Sequence, residues 1–212
     1  MIDPGVIDLE DFAHAWWGPP DSVAEPIQAE HQWLPEILKD WLVFSSRWNR
    51  RNISMLRFFT PDRIERFGEK AFFLEDSCGE WRWAFDVEEP DIVYDAEVYK
   101  GEEAQAEWTR NEETLGEVIR HSVVHDALLT AAHTRIYTHV PARLLGDVLR
   151  PLQPVGFGSW RWPSPQFRIF MGNGLLADLS PSRYVAGHFG VQLSAADEAA
   201  FIYLNEIPGI DH

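Results

Sequence analysis

The chain has few of the features that mark secreted, membrane-spanning or nucleic-acid-binding proteins. Its 212 residues include one cysteine, Cys78, so no internal disulfide can form. No uninterrupted apolar run approaches the roughly 20 residues that cross a bilayer, and the first residues lack the basic and apolar segments of a secretory signal. The 18 lysines and arginines are outnumbered by 34 acidic residues, a net charge of −16, which disfavours nucleic acid and anionic membranes as partners. We therefore expect a cytoplasmic protein that binds neither.

The acidic excess lies in residues 1–133, which hold 28 acidic and 12 basic side chains. Residues 71–117 hold 15 acidic and three basic side chains, residues 47–70 hold three acidic and seven basic, and residues 134–212 hold six of each. Such an uneven field can steer a basic protein partner, although high charge also serves solubility alone. The predicted partner-binding residues, called the acidic rim below, are Glu88, Glu89, Asp91, Asp95, Glu97, Glu102, Glu103 and Glu107.

Hydrophobic periodicity predicts interleaved helices and strands. Helices are expected over 9–17, 34–45, 111–133, 142–149 and 195–206, the last capped by Ser194, with a short helix opened by Thr60-Pro61. Strands are expected over 53–59, 71–75, 80–86, 91–97, 134–140, 167–171 and 175–179. Tight turns at Gly79 and at Gly172-Asn173-Gly174 join consecutive strands, as in antiparallel pairs. The pattern predicts an α+β fold, a mainly antiparallel sheet with helices packed on one side.

Composition and charge divide the chain into three segments. Residues 1–33 are predicted to be an N-terminal arm with a short helix, because they are loosely patterned and contain Pro19-Pro20. Residues 34–133 form the acidic core. Residues 134–212 are predicted to be a neutral α+β portion, packed on the core as one unit.

Candidate catalytic and metal-binding residues are weakly indicated. His121 and His125 are four apart on the helix predicted over 111–133, a spacing that can place two imidazoles on one metal. No glutamate lies between them, as it would in a zinc protease, so histidines at the edge of the core are the favoured interpretation. Cys78 lies in a turn with no base nearby to activate it.

Two further patterns carry little chemical information. The acidic residues around Pro90 lack the alternating Asp spacing of a calcium loop. Asp178, Ser180 and His188 are common residue types, and their closeness in sequence is poor support for a catalytic triad. We therefore predict no catalytic residues, no metal, no cofactor and no enzymatic activity.

An ordered series of core and turn residues extends through 34–133. It comprises a Leu-Pro-x-x-Leu helix with a following Trp, a Phe-Thr-Pro turn, a Phe-Phe-Leu-Glu-Asp strand with a following Gly, a Trp/Phe strand, an acidic-Pro-x-x-Val-Tyr segment, a further Trp and a Thr-Leu helix start. Its residues are Leu34, Pro35, Leu38, Trp41, Phe59, Thr60, Pro61, Phe72, Phe73, Leu74, Glu75, Asp76, Gly79, Trp83, Phe85, Glu89, Pro90, Val93, Tyr94, Trp108, Thr114 and Leu115. In this series the chain resembles the SUKH superfamily, which includes fungal cell-wall-synthesis regulators and bacterial immunity proteins. Glu89 stands where many members have Asp.

The resemblance implies an α+β fold and a non-enzymatic role. In the bacterial branch such proteins bind and neutralise a co-encoded toxin, often a nuclease. The acidic segment is compatible with this role. A toxin that binds nucleic acid needs a basic surface, and an acidic protein is attracted to such a surface. The predicted function is an immunity protein that neutralises a basic toxin by direct binding. The alternative is an intracellular regulatory scaffold domain that binds an endogenous protein, as in the fungal branch.

Overall fold

Four α-helices and eleven β-strands are found in the part of the chain that this computed structural model describes, residues 1–48, 55–98 and 106–210. The α-helices are α1 (Leu9–Trp17), α2 (Glu36–Ser45), α3 (Leu115–Thr130) and α4 (Leu145–Val148). Short 3-10 helices include Pro4–Val6, Ala29–His31, Pro61–Arg63, Ala142–Leu144 and Glu198–Glu206. No helix among the described residues is long and apolar enough to cross a membrane.

The chain divides into two compact units. Gly18–Asp126 forms the first, called the central unit here. Met1–Trp17 and Ala127–His212 together form the second, called the discontinuous unit. The observed boundaries differ from the predicted ones, because the first helix belongs with the C-terminal residues and the linker after it belongs with the acidic residues.

The central unit is built on a six-stranded antiparallel sheet in the order β1-β3-β4-β5-β6, with β2 also paired to β3. Its strands are β1 (Leu56–Phe58), β2 (Arg66–Phe67), β3 (Lys70–Asp76), β4 (Trp81–Asp86), β5 (Val93–Glu97) and β6 (Thr109–Arg110). Trp41 of α2 packs on Phe58 of β1 with ring centroids 5.4 Å apart. Trp83 and Leu74 are fully buried in the sheet, so one face of it contributes to the core of this unit.

Local hydrogen bonds explain where two elements of the central unit begin and turn. Thr114 and Glu117 form a capping box at the start of α3: the Thr114 N–H donates to Glu117 Oε2 at 2.8 Å, and the Glu117 N–H donates to Thr114 Oγ1 at 3.4 Å. Between β3 and β4, Asp76 Oδ1 accepts the N–H of Glu80 at 2.7 Å. Gly79 in the same turn has φ +71°, a conformation that favours glycine.

The discontinuous unit has a five-stranded antiparallel sheet in the order β7-β11-β10-β9-β8. Its strands are β7 (His133–Pro141), β8 (Gln153–Pro154), β9 (Arg168–Gly172), β10 (Leu175–Pro181) and β11 (His188–Ala195). Phe201 and Leu204 of the last 3-10 helix join Leu175 and Leu193 in its core. Asn173 and Gly174 both have positive φ, 51° and 71°, as the predicted hairpin turn between β9 and β10 requires.

The predicted α+β fold is confirmed, with two antiparallel sheets in place of the one expected. The prediction of the final helix, over 195–206, is wrong. Ser194 does not cap it but lies in β11 opposite Thr134, and a 3-10 helix begins only at Glu198, capped by Asp197. The helix expected after Thr60 is also reduced, to the single 3-10 turn Pro61–Arg63.

Candidate functional site

The turn between β4 and β5 displays three residues of the acidic rim. Asp86 Oδ1 accepts hydrogen bonds from the backbone N–H groups of Glu88 and Glu89, at 2.9 and 3.1 Å. The Ile92 N–H then donates to the Glu89 carbonyl at 2.8 Å. Glu88, Glu89 and Asp91 are exposed. The backbone of this turn, called the acidic turn below, is therefore held in one conformation while its carboxylates face solvent.

The other members of the acidic rim differ in their placement. Glu97 and Glu107 are exposed, and Glu102 and Glu103 lie outside the described residues. Asp95 is corrected from a surface contact to an interior residue: it is 4% exposed, and its Oδ2 accepts a hydrogen bond from Asn111 Nδ2 at 3.0 Å. The alternation of β5 places it inside, and a partner cannot reach it without unfolding the strand.

The exposed rim carboxylates are not neutralised from within the described chain. Glu88, Glu89, Asp91, Glu97 and Glu107 form no ion pair with any described residue. Their negative potential therefore extends into solvent, where it acts on a charged partner.

A contrasting arrangement surrounds Glu75 in β3. Glu75 is 5% exposed, and its carboxylate oxygens lie 3.1 Å from Arg57, 3.6 Å from Arg63 and 3.8 Å from Arg82. Three arginines of the central unit therefore lie within ion-pair distance of one buried carboxylate. Glu75 consequently contributes less to the surface potential than the exposed rim residues Glu88, Glu89, Asp91, Glu97 and Glu107.

A shallow cleft of about 320 Å³ lies beside the acidic turn. It is lined by Asp91, Ile92, Arg110, Asn111, Glu112, Glu113 and Thr114. The turn and the start of α3 thus meet, and the exposed Glu112 adds a carboxylate that the predicted rim did not include. The sequence signal was present, since Glu112 belongs to the acidic segment, but its closeness to Asp91 depends on the pairing of β5 with β6.

The two candidate metal-binding histidines lie inside the central unit. His121 Nδ1 is 3.0 Å from Glu113 Oε1, and both side chains are buried. Burial, together with the neighbouring His121, lowers the pKa of His125 to about 3, so this imidazole is neutral in the folded chain. Among the described residues, no three His, Cys, Asp or Glu side chains are grouped to hold a metal ion.

The remaining candidates are not brought into a catalytic arrangement. Cys78 is exposed in the turn between β3 and β4. Asp178 Oδ1 accepts the backbone N–H of Gln192, and the His188 imidazole contacts the Ala186 carbonyl at 3.2 Å. Within the described part of the chain, no hydrogen bond joins His188 to Ser180.

Comparison of the chain with protein-family models, with curated protein sequences and with solved structures gives no match. The site is therefore interpreted from its own geometry and charge.

Proposed function

We propose that the chain is a non-enzymatic protein-binding module, a cytoplasmic immunity protein that neutralises a basic toxin by direct contact. The observation that carries the proposal is the acidic turn. Its three carboxylates are exposed and have no ion-pair partner among the described residues. The backbone that presents them is held by hydrogen bonds of 2.8 to 3.1 Å. A surface organised in this way suits a partner that brings its own positive charge.

Electrostatic complementarity of this kind acts mainly on the rate of association. Steering by opposite charges raises association rates by about 10- to 1000-fold, and the effect falls as ionic strength rises. A toxin that acts on nucleic acid carries a basic substrate-binding surface. An acidic protein that covers this surface blocks the substrate without performing any reaction, so the proposal needs no catalytic residue.

The test begins with capture of the partner and asks what the partner does. The purified chain is used as bait at low salt, and the retained basic protein is identified and expressed in a heterologous host. If the partner is a toxin, it arrests growth when expressed alone, and co-expression of this chain restores growth. A basic partner that leaves growth unaffected contradicts the immunity proposal and favours the scaffold alternative.

Charge reversal then tests the surface. The variant E88K/E89K/D91K should associate with the captured partner at least about tenfold more slowly at low salt, with a flatter salt dependence. The matched control D40K/E65K/E69K changes the net charge equally at other exposed residues of the central unit, and should slow association much less. Equal slowing in both variants would show that only net charge matters.

A further inference from the structure

A second cleft of the central unit, of about 1100 Å³, shares no lining residue with the acidic turn. Three stretches of chain form it: residues 22–31, the end of α2 with the residues that follow it, and β1 with the turn after it. We call it the α2 cleft. Its lining residues are Ser22, Glu25, Pro26, Ile27, Gln28, Glu30, His31, Leu42, Ser45, Ser46, Trp48, Phe58, Phe59, Thr60, Pro61 and Asp62.

One wall of the α2 cleft is tied to the end of α2. The N–H groups of Asp21 and Ser22 both donate to the Arg47 carbonyl, at 3.0 and 2.9 Å. The Glu25 N–H donates to Ser46 Oγ at 2.8 Å. These three bonds hold an otherwise extended segment against the helix end, so this wall is in place before any ligand arrives.

The opposite wall is formed by the end of β1 and the turn that follows it. The Phe59 N–H donates to the Phe73 carbonyl at 2.8 Å, and the Arg63 N–H donates to the Thr60 carbonyl at 2.8 Å, which fixes the turn after β1. The floor is apolar and already packed: Trp48 is 7% exposed, and Leu42 and Phe58 are half-buried. A preformed cleft of this kind loses little conformational entropy on binding.

The charged side chains at the α2 cleft are almost all acidic. Glu25, Glu30 and Asp62 line it, and His31 lies 4.0 Å from Glu30. A hydrogen bond from the Thr60 side chain lowers the pKa of Asp62 below its ordinary value, so this carboxylate stays charged at neutral pH. The described lining contains no lysine or arginine.

We propose that the α2 cleft binds a short basic peptide segment, in which lysine or arginine residues flank one large apolar side chain. The apolar side chain would lie on the floor formed by Leu42, Trp48 and Phe58, and the flanking cations would meet the carboxylates of Glu25, Glu30 and Asp62. This inference deepens the proposed function, and it rests on that function in taking the partner to be a basic protein. It gives the partner a second contact, distinct from the acidic turn.

A synthetic peptide tests the cleft without knowledge of the partner. The probe is acetyl-Lys-Arg-Phe-Arg-Lys-amide, titrated into the full chain and followed by two-dimensional NMR of the backbone and indole N–H groups. Saturable binding that shifts the indole signal of Trp48 is expected. Acetyl-Lys-Arg-Gly-Arg-Lys-amide lacks the apolar side chain, and acetyl-Glu-Glu-Phe-Glu-Glu-amide lacks the cations, so both should bind at least about tenfold more weakly.

Three variants locate the binding. E25Q/E30Q/D62N removes the charge of the cleft and should weaken peptide binding at least about tenfold, since the attraction between the three carboxylates and the peptide cations is lost. S22W narrows the cleft without changing its charge and should also weaken binding. E88Q/E89Q/D91N removes the same charge from the acidic turn and should change the affinity less than about twofold. Far-ultraviolet circular dichroism checks that each variant is folded.

Several results would overturn the inference: no saturable binding, equal binding of the glycine peptide, or a larger loss in the acidic-turn variant than in the cleft variants. Its failure is separable from failure of the proposed function. Suppose that the wild-type chain does not bind the peptide, and that the cleft variants neutralise a captured toxin with unchanged affinity. In that case only the cleft assignment fails. If the peptide binds in the cleft but the captured partner is not toxic, only the immunity proposal fails.

Discussion

The Nδ1 atom of His121 lies 3.0 Å from Oε1 of Glu113, in the interior of the central unit, with both side chains only 3% exposed. The Glu113 N–H donates to Asn111 Oδ1 at 2.9 Å, and Asn111 in turn donates to Asp95 at 3.0 Å. A chain of buried polar groups therefore joins β5 to α3. Buried groups of this kind are costly when one partner is removed, because the remaining partner cannot reach water.

Replacement of Glu113 should show this cost. Glu113→Leu removes the acceptor that faces His121 and should lower the free energy of unfolding by about 1–3 kcal/mol. Glu113→Gln keeps an oxygen at the same position and should recover part of the loss. The measurement is the urea midpoint at pH 7, with the exposed Glu112→Gln as control, expected to change stability by less than about 0.5 kcal/mol. Equal losses for Leu and Gln would contradict a role for the hydrogen bond.

His125 should make the chain less stable in mild acid. Its pKa in the folded chain is lowered to about 3 from the ordinary 6.5. Between these values the unfolded chain binds a proton that the folded chain excludes, so this contribution is complete above pH 6.5 and is lost as the pH falls toward 3. The free energy of unfolding, measured by urea titration from pH 7 to pH 4, should fall by up to about 1.4 kcal/mol per pH unit.

The variant His125→Leu identifies the source of that slope. Part of the fall in stability between pH 6.5 and pH 5 should disappear in this variant, because no proton is then taken up at this position on unfolding. The exposed His139→Gln should leave the slope unchanged. A slope that is the same in wild type and in His125→Leu would show that other groups cause the acid sensitivity.

Asp178 should have the opposite effect from His125: its contribution to the free energy of unfolding should be larger in acid than at high pH. Burial raises its pKa to about 6 from 3.8, although the hydrogen bond from the Gln192 N–H opposes the rise. The folded chain then holds a proton that the unfolded chain releases, so this contribution is complete below pH 3.8 and is lost as the pH rises through 6. Asp178→Asn should therefore raise the free energy of unfolding by about 1–3 kcal/mol at pH 8, and should change it little at pH 4. The control Asp147→Asn, at an exposed position, should have no effect at either pH.

Two glycine-to-alanine substitutions should change stability in opposite directions. A Cβ at Gly172 would lie 2.7 Å from the Pro151 carbonyl oxygen, a backbone atom that cannot rotate away. Gly172→Ala should thus destabilise the discontinuous unit by about 1–3 kcal/mol. A Cβ at Gly146 in α4 meets nothing within 4 Å, so Gly146→Ala should raise stability by up to about 1 kcal/mol. Thermal unfolding of both variants tests the pair, and a loss of stability in Gly146→Ala would contradict the expectation.

The elements that sequence reasoning predicts correctly are those with strong local signals. α1 has the predicted bounds, Leu9–Trp17. The hairpin around Gly172-Asn173-Gly174 is likewise set by residues that tolerate positive φ. In both cases the information lies within a few consecutive residues, so no distant partner is needed to recognise it.

The errors arise where distant pairing overrides a local signal. Ser194 followed by Ala195 and Ala196 is typical of a helix start, yet the pairing of β11 with β7 and β10 extends the strand through Ala195. The charge of Asp95 predicts a surface position, although the alternation of β5 places it on the same side as the buried Val93. Periodicity was the better guide there than residue type.

The candidate site shows the same limit. The acidic segment and its exposed turn are visible in composition and in the proline at Pro90. The α2 cleft is not, because Glu25 and Asp62 line it together only in the folded chain, where the Glu25 N–H donates to Ser46 Oγ. No sequence pattern marks two walls that are separated by a helix and a strand.

The division of the chain into a continuous and a discontinuous unit has a consequence for biosynthesis. Gly18–Asp126 is complete on the ribosome while the strands of the other unit are still to be made, so it can fold first. Met1–Trp17 is translated before Gly18–Asp126, yet its own unit cannot fold until Ala127–His212 has been made. The acidic surface can thus fold before the strands of the discontinuous unit have been translated.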